Sequence, residues 1–335
     1  MSTGDPRAND TSTRDPRAND TSTRDPRAND TSTRDPRVRG ALAALTLTIL
    51  IFGCQFVDAR YAIRQGLSVY DLVALRFAIA GAIGFVVFLR YGLRDLGGLG
   101  WKRGALLAVL AGSPYSLAMI GGLHFAPVAH GALLNPGLNL IASTFFGMLL
   151  LGERHPVYRF LGMVVVTGGL AMIGWDGLTA TGERFWIGDL LFALTGITWG
   201  LFGTLSRRWG APPVVTVSAI AFVSLPYLPF YFLFMTPTLD QVSLGWLVFH
   251  GFYQGVLQSF IGILGYAYAA QVLGPSRTAL ATAMVPVTGI VAAIPFLGEW
   301  PHPLQWTGLA VVVAGMLLAN YTRNPRPLKE IPAAP

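Results

Sequence analysis

Ten mostly apolar runs, each close to the length of a membrane-spanning helix, follow one another along this chain. A helix needs roughly 20 apolar residues to cross the hydrocarbon core of a bilayer. The breaks between the runs carry charged residues, Gly or Pro. The predicted spans are 41–58, 70–89, 103–122, 127–150, 157–175, 186–205, 213–234, 244–269, 276–297 and 303–321. The predicted fold class is therefore an all-α membrane protein with ten transmembrane helices.

The scarcity of charge excludes a soluble globule. Only 12% of the residues are charged, against about 25% in a typical soluble domain. The bases lie between apolar runs rather than along one face, so we expect no nucleic-acid partner. The single cysteine, Cys54, excludes an internal disulfide and any cysteine-cluster metal site.

The first 37 residues form a separate segment built from a ten-residue repeat, of which TSTRDPRAND is one copy. The segment has no apolar residue larger than alanine between Ser2 and Arg37. It cannot bury enough surface to offset its ordering entropy, so we predict that residues 1–37 are disordered. Residues 322–335 are predicted to form a C-terminal cytoplasmic tail.

The distribution of basic residues predicts the orientation of the spans. Fourteen Lys and Arg residues fall on one side of the predicted membrane and three on the other, namely Arg60, Arg64 and Arg184. Basic residues concentrate on the cytoplasmic side. Both termini are therefore predicted to be cytoplasmic.

Two stretches of the chain read alike, which indicates an internal repeat of five spans. Pro127 matches Pro275, and the Leu-Gly-Glu sequence that ends in Glu153 matches the one that ends in Glu299. Because five is odd, the second copy must cross the membrane in the opposite sense. Inverted repeats are typical of alternating-access transporters, which bind their solute near the midplane.

These residues also carry a resemblance to a known family. The Gly-Glu motifs, QFVDARYAIRQG after the first span, LRF at 75–77, GDLLFALTGITWG in the sixth span and the Arg207–Arg208 pair are similar to EamA-type transporters of the drug/metabolite transporter superfamily. The resemblance implies two five-helix repeats, here 40–175 and 186–321. It also implies a bacterial inner membrane, and export or exchange of small solutes such as amino acids, other metabolites or drugs.

The eighth span carries the clearest set of candidate binding residues. His250, Gln254 and Gln258 are spaced four apart, which places them on one helical face, and Tyr253 borders that face. Gln254 lies roughly 15 Å from the outer end of the span at ~1.5 Å per residue. We predict that this face lines the solute pathway. The alternative is that it forms hydrogen bonds that hold helices together. Gly251 and Gly255 predict a close helix contact in the same span.

The fourth span offers a second set: His130, Asn135 and Asn139. We predict that Pro136 interrupts this helix and that Asn135 and Asn139 face the cavity. Thr282 belongs to the matching region of the ninth span. Tyr115 and Trp199, with Tyr266, are candidate aromatic walls, although a single aromatic residue in a helix also serves packing.

Charged residues near the span ends have several interpretations. Arg76 can reach the outer surface, pair with Asp71 or Asp58, or contact the solute. Glu153 and Glu299 are expected to organise the turns. No Asp or Glu falls in the middle third of a predicted span, so a carboxylate proton relay has no obvious carrier. Proton coupling would therefore require His250 or His130, and exchange driven by the solute gradient is favoured.

The sequence thus predicts a secondary transporter, an exporter or exchanger of small metabolites, with no cofactor and no metal. The expected partners are a small-molecule substrate and the lipid bilayer; a monomer suffices, and a dimer is compatible with the sequence. An intramembrane enzyme is disfavoured because no HExxH or GxSxG motif accompanies the histidines. A non-transporting sensor or scaffold that retains the fold is the alternative.

Overall fold

The computed structural model describes residues 35–179 and 184–321, and this part of the chain is helical without a strand. Its ten main helical segments are α1 (Pro36–Arg64), α2 (Val69–Tyr91), α3 (Trp101–Phe125), α4 (Val128–Leu151), α5 (Val157–Thr179), α6 (Phe185–Trp209), α7 (Pro213–Phe234), α8 (Leu244–Leu273), α9 (Arg277–Leu297) and α10 (Pro303–Ala319). Nine of these segments are long and apolar enough to cross a membrane, and α10 is shorter at 17 residues.

The termini only partly fall within the described residues. Positions 1–34 of the predicted disordered segment and the whole predicted tail 322–335 lie outside them. The predicted C-terminal bound of the disordered segment, residue 37, is wrong, because α1 already begins at Pro36. The carboxylate of Asp35 accepts a hydrogen bond from the Arg37 amide at 2.8 Å and caps the first turn.

The outward surface of the helices is apolar. Large side chains such as Val164, Leu149 and Leu233 are exposed by 71, 66 and 76%. A surface of this kind fits hydrocarbon better than water. Together with the long apolar helices, it identifies a multi-pass membrane protein.

Several helices depart from regular α geometry, though not where the sequence predicted it. Helix α4 runs without a break through Pro136, so the predicted interruption is wrong. Instead, α3 breaks at Gly112, α7 breaks after Val223, and α9 breaks between Thr282 and Val285. In α8, residues Tyr253–Gly262 form a π-helix, whose backbone hydrogen bonds reach one residue further than those of an α-helix.

The helix packing repeats between the two halves of the chain. Helix α1 packs on α9 and on α8, and α6 packs in the same way on α4 and on α3. Helix α2 packs on α7, and α5 packs on α10. Exchanging the first five helices with the last five therefore reproduces these main contacts.

Glycines give the direction of two of these pairs. Gly162 of α5 lies against Gly315 of α10, whereas Gly169, seven residues later, lies against Gly308, seven residues earlier. Helices α5 and α10 therefore run antiparallel. The same reversal holds between α2 and α7. The absence of a side chain at these positions lets the two backbones approach closely.

The predicted close contact in α8 is confirmed. A side chain at Gly251 or Gly255 would press on Ile79 of α2, with contacts of 2.8 and 2.7 Å. The pair therefore seats α8 against α2.

Candidate functional site

The two Leu-Gly-Glu motifs have the same local structure. Gly152 and Gly298 end α4 and α9 in the left-handed region, with φ of +65° and +66°. In each motif the amide of the following glutamate donates to a carbonyl six residues earlier, that of Gly147 or of Ala293. Glycine at this position avoids the steric penalty of positive φ, and the reversal of the chain presents the glutamate side chain at the helix end.

Glu299 is the centre of an ion cluster at one end of the bundle. Its Oε1 atom lies 3.1 Å from Arg60 Nε and 2.6 Å from Arg64 Nη2, both at the end of α1. Its Oε2 atom accepts a hydrogen bond of 2.9 Å from the amide of Val128. The two arginines also donate to the carbonyls of Leu123 and Leu297. This cluster, the Glu299 latch, joins α1 to α3, α4 and α9.

Glu153 forms the equivalent contact of the other motif. Its Oε1 atom lies 2.8 Å from Arg207 Nη1 at the end of α6. Glu153 and Arg207 are exposed by 31 and 52%, compared with 16 and 20% for Glu299 and Arg60. A cavity of about 500 Å³ opens beside the pair, lined by Glu153, Arg154, His155, Arg159 and Arg207. We call this pair the Glu153 latch.

His155 lies in the turn beside the Glu153 latch, outside the helices. Burial lowers the pKa of its imidazole, and the nearby Arg159 guanidinium lowers it further. The ring is therefore mainly neutral at pH 7, whereas the other side chains that line the cavity, those of Glu153, Arg154, Arg159 and Arg207, are charged.

The predicted face of α8 meets α1. His250 Nδ1 lies 2.7 Å from Asp58 Oδ1, and Gln254 Nε2 donates to Asp58 Oδ2 at 2.7 Å. His250 Nε2 lies 3.0 Å from Gln65 Oε1. Both ring nitrogens thus face oxygen atoms, and both can donate only when the imidazole carries its second proton. Gln258 donates to Gln55, one turn further along α1.

Three of these side chains are almost completely enclosed. His250, Gln254 and Asp58 are exposed by 0, 1 and 7%. Tyr253 also turns toward α1, where its hydroxyl donates to the Ile51 carbonyl at 2.7 Å. All four predicted residues of α8 therefore make interhelical hydrogen bonds in this conformation. Their role in the solute pathway stays a prediction.

His130 of α4 forms a second histidine–carboxylate pair. Its Nδ1 atom lies 2.7 Å from Asp189 Oδ1 of α6, and its Nε2 atom lies 3.3 Å from Gln305 Nε2 of α10. The ring is fully buried and makes an edge contact with Phe185. A small cavity of about 130 Å³ is lined by Glu299 and by the two residues that contact the His130 ring, Phe185 and Gln305.

Further into the bundle, polar and aromatic residues of three helices meet. Asn135 Nδ2 donates to Thr195 Oγ1 at 2.9 Å and lies 3.4 Å from the Tyr115 hydroxyl. The rings of Tyr115 and Trp199 are 5.3 Å apart. The structure thus brings together three predicted residues from α3, α4 and α6, and Thr195 with them. We call these four residues the central cluster.

Three of the predicted residues lie apart from these groups. The Thr282 hydroxyl donates to the Ala279 carbonyl of its own helix at 2.9 Å. Asn139 is half-buried where α4 meets Gly196 of α6. Tyr266 is 36% exposed and is no wall of the central cluster.

Sequence reasoning missed the carboxylates that pair with the histidines. Asp58 and Asp189 lie outside the middle third of their helices, as predicted, but each contacts a buried imidazole. Asp58 was placed at the end of the first span, but α1 continues to Arg64. The available signal was that Gln55 and Asp58 lie about one turn apart on the same helical face. Asp189 offered none, because its partner comes from a helix that starts 57 residues earlier.

Arg76 of α2 pairs with neither acid that the sequence offered. Asp71 accepts hydrogen bonds from Ser68, Tyr231 and Thr238. Asp58 is occupied by α8. Among the described residues no carboxylate pairs with Arg76.

Comparison with known proteins agrees with these features. The EamA-like transporter family matches the chain twice, over residues 38–175 and 186–321. A protein of Streptantibioticus cattleyicolor named "Probable terminal-alkyne amino-acid exporter" is 25% identical over 296 residues, which cover 84% of this chain and 93% of that protein. An uncharacterized protein of Pseudomonas aeruginosa is 28% identical, covering 87% and 98% of the two chains.

Further similarities point the same way. The uncharacterized transporter YyaM of Bacillus subtilis is 23% identical over 80% of this chain and 89% of its own length. A solved crystal structure of a protein shares the fold with a TM-score of 0.56 at 21% identity, covering 84% of this chain and 96% of that one. The two family matches together span nearly all of the described helices. This chain therefore belongs to the EamA-like transporter family.

Proposed function

We propose that this protein is an inner-membrane secondary transporter with cytoplasmic termini. It exports or exchanges small metabolites, such as amino acids or drugs, by alternating access between two inverted five-helix halves, α1–α5 and α6–α10, with α10 as the tenth span. It has no enzymatic activity in this proposal. The alternative is a sensor or scaffold that retains the fold without moving a solute.

The observation that carries the proposal is the equivalence of the two latches. Glu153 and Glu299 occupy matching positions in the two repeats, and each pairs with an arginine at the end of the first helix of the other half. One latch lies at the end of α1 and the other at the end of α6. If the halves are inverted, these ends lie on opposite sides of the membrane. Each latch then closes one side, as alternating access requires.

The helix directions support the inversion. Helices α5 and α10 are matching helices, and they pack antiparallel through Gly162 and Gly315. Matching helices of a parallel repeat would run in the same direction. The excess of basic residues on one side also fits ten spans with both ends in the cytoplasm. In this orientation the Glu299 latch is the outer one, and the open cavity faces the cytoplasm.

The central cluster and the α8 face supply the proposed binding residues. Both lie between the two latches, and both present hydrogen-bonding groups at membrane depth, where such groups mark solute pathways. The named activity of the Streptantibioticus relative favours an amino acid among the small metabolites. We propose exchange driven by the solute gradient as the source of energy. Coupling to a proton gradient would instead require His250 or His130 as the carrier.

Counterflow in proteoliposomes tests the proposal. Vesicles preloaded with a mixture of amino acids and small metabolites should take up labelled solute when they contain the wild type. Gln254→Leu should abolish uptake, because the leucine offers no group to a polar solute. Gln271→Leu is the matched control, since Gln271 lies on the same helix and is exposed; its uptake should equal that of the wild type.

The outcomes separate the alternatives. Uptake by wild type and Gln271→Leu alone supports transport and a role for Gln254. Equal uptake by all three retains the transporter and rejects the α8 face as its site. A Gln254→Leu protein that fails to fold identifies the face as interhelical support. No uptake by the wild type favours the sensor or scaffold.

A further inference from the structure

Arg76 is a buried cation without a counter-ion in the part of the chain that the structure describes. It lies seven residues into α2, about 10 Å along the helix axis, and is only 5% exposed. Its Nε atom has no hydrogen-bond partner among the described residues. The guanidinium lies 5.6 Å from the Phe77 ring, and its electrostatic neighbour is the hydroxyl of Tyr115.

The nearby acids are already occupied. Asp71 is held by Ser68, Tyr231 and Thr238, and Asp58 is held by His250 and Gln254. Moving either carboxylate to Arg76 would break those hydrogen bonds and leave other buried donors unpaired. The positive charge is therefore a stable property of this part of the bundle.

An uncompensated guanidinium at membrane depth is costly, and a chain that needed only packing there would be more stable with a neutral side chain. The cost is offset if an anion enters and pairs with it. Arg is the side chain best shaped for this task, because its planar fork matches the two oxygens of a carboxylate.

The neighbouring residues fit the same ligand. The Tyr115 hydroxyl accepts from Asn135 Nδ2 at 3.4 Å, so its own proton remains available for a further acceptor. Tyr115 belongs to the central cluster, where its ring contacts Trp199, and its hydroxyl is the electrostatic neighbour of Arg76. A solute in this cluster thus meets a cation, a hydroxyl donor and an aromatic surface.

We propose that Arg76, assisted by the Tyr115 hydroxyl, binds the carboxylate of the transported solute. This inference rests on the proposed transport function and specifies its substrate class as small organic carboxylates, amino acids included. It assigns the central cluster to the remainder of the solute.

Ligand-induced thermal stabilisation of the purified full chain tests the proposal directly. The probes are a mixture of L-amino acids and simple mono- and dicarboxylates, and a second mixture of the corresponding carboxamides. The acids should stabilise the wild type and the carboxamides should not. Arg76→Gln should raise the acid concentration needed for half-maximal stabilisation by about 10- to 100-fold. This factor corresponds to the loss of one hydrogen bond to a charged group. Arg76→Lys should retain part of the response to the acids.

The melting temperatures of the ligand-free variants test whether Arg76 has a merely structural role. Arg76→Gln should melt at the same temperature as the wild type or higher, because it removes an unpaired buried charge. Arg90→Gln is the matched control at the exposed end of the same helix and should respond to the acids as the wild type does.

Three results would overturn the proposal: no stabilisation of the wild type by the acids, equal stabilisation by the carboxamides, or an unchanged response of Arg76→Gln. Counterflow with the same probes distinguishes failure of the carboxylate site from failure of the proposed transport function. If only solutes without a carboxylate are taken up, the protein is a transporter but Arg76 is not its carboxylate site. If acids bind but no counterflow occurs, the site exists and the protein does not transport.

Discussion

Removing the charge of Glu299 should open the side of the protein that the Glu299 latch closes. Glu299→Gln retains the shape of the side chain but loses its ion pairs. A hydrogen bond to a charged group contributes about 1.5–3 kcal/mol. Arg60 is 20% exposed and makes such a bond, whereas Arg64 is 43% exposed, so solvent screens most of its contribution. With the Val128 amide included, the closed state loses about 3 kcal/mol, which corresponds to roughly a 100-fold shift in the conformational equilibrium.

The Glu153 latch provides the comparison. Both of its side chains are close to a third exposed or more, so the pair contributes less than about 1 kcal/mol. Glu153→Gln should therefore shift the equilibrium between states by less than about fivefold. The two variants remove the same chemical group from matching positions, so their difference reflects the greater burial and the additional partners of Glu299.

Cysteine labelling measures the shift. The background is Cys54→Ser, and the reporter is Ala129→Cys, a buried position in the cavity next to Glu299. A membrane-impermeant maleimide added from outside should modify the reporter much faster in Glu299→Gln than in the parent, and at nearly the parent rate in Glu153→Gln. An unchanged rate in a well-folded Glu299→Gln protein would refute the assignment of this latch as the outer gate.

Three further predictions address other regions. Gly162→Leu should abolish monodisperse elution in detergent, because its side chain would collide with backbone atoms of α10. Gly168→Leu should elute normally, since no atom lies within 4 Å of a Cβ atom there; normal elution of both variants would contradict the packing of α5 on α10. Because the pKa of His155 is lowered in the folded protein, the unfolded chain takes up a proton more readily as the pH falls through about 6.5, and the melting temperature should fall in that window. His155→Asn should reduce this fall, and identical pH profiles of variant and wild type would reject the prediction. Deleting residues 2–34 should leave counterflow unchanged, and a large loss of uptake would show that the repeat is needed.

The spans were predictable because they depend on local composition. Helices α2 and α4–α9 begin or end within a few residues of the predicted bounds, as expected when a run of apolar residues decides the structure. The first span is the exception. Its prediction stopped at Asp58 because charges at Arg60 and Arg64 follow, yet these charges are satisfied by Glu299 and α1 continues. Only the fold reveals that partner, 239 residues away from Arg60.

The candidate site was less predictable because its contacts join distant helices. The spacing of His250, Gln254 and Gln258 correctly indicated a shared face, but not that this face meets Asp58. Pro136 removes one backbone donor, and the remaining hydrogen bonds of α4 suffice to keep the helix continuous. Arg76 had three interpretations in the sequence, and one of them, pairing with an acid, is excluded only because Asp58 and Asp71 have other partners.

The π-helical stretch of α8 adds a mechanical property to this family member. Its ten residues wind more loosely than an α-helix would, so tightening Tyr253–Gly262 into α geometry rotates the two ends of α8 relative to each other. Gln254 and Gln258 lie inside the stretch and His250 lies before it, so such a rotation would turn the glutamines away from α1 and leave the histidine in place. The winding of this one stretch therefore decides whether the two glutamines face α1.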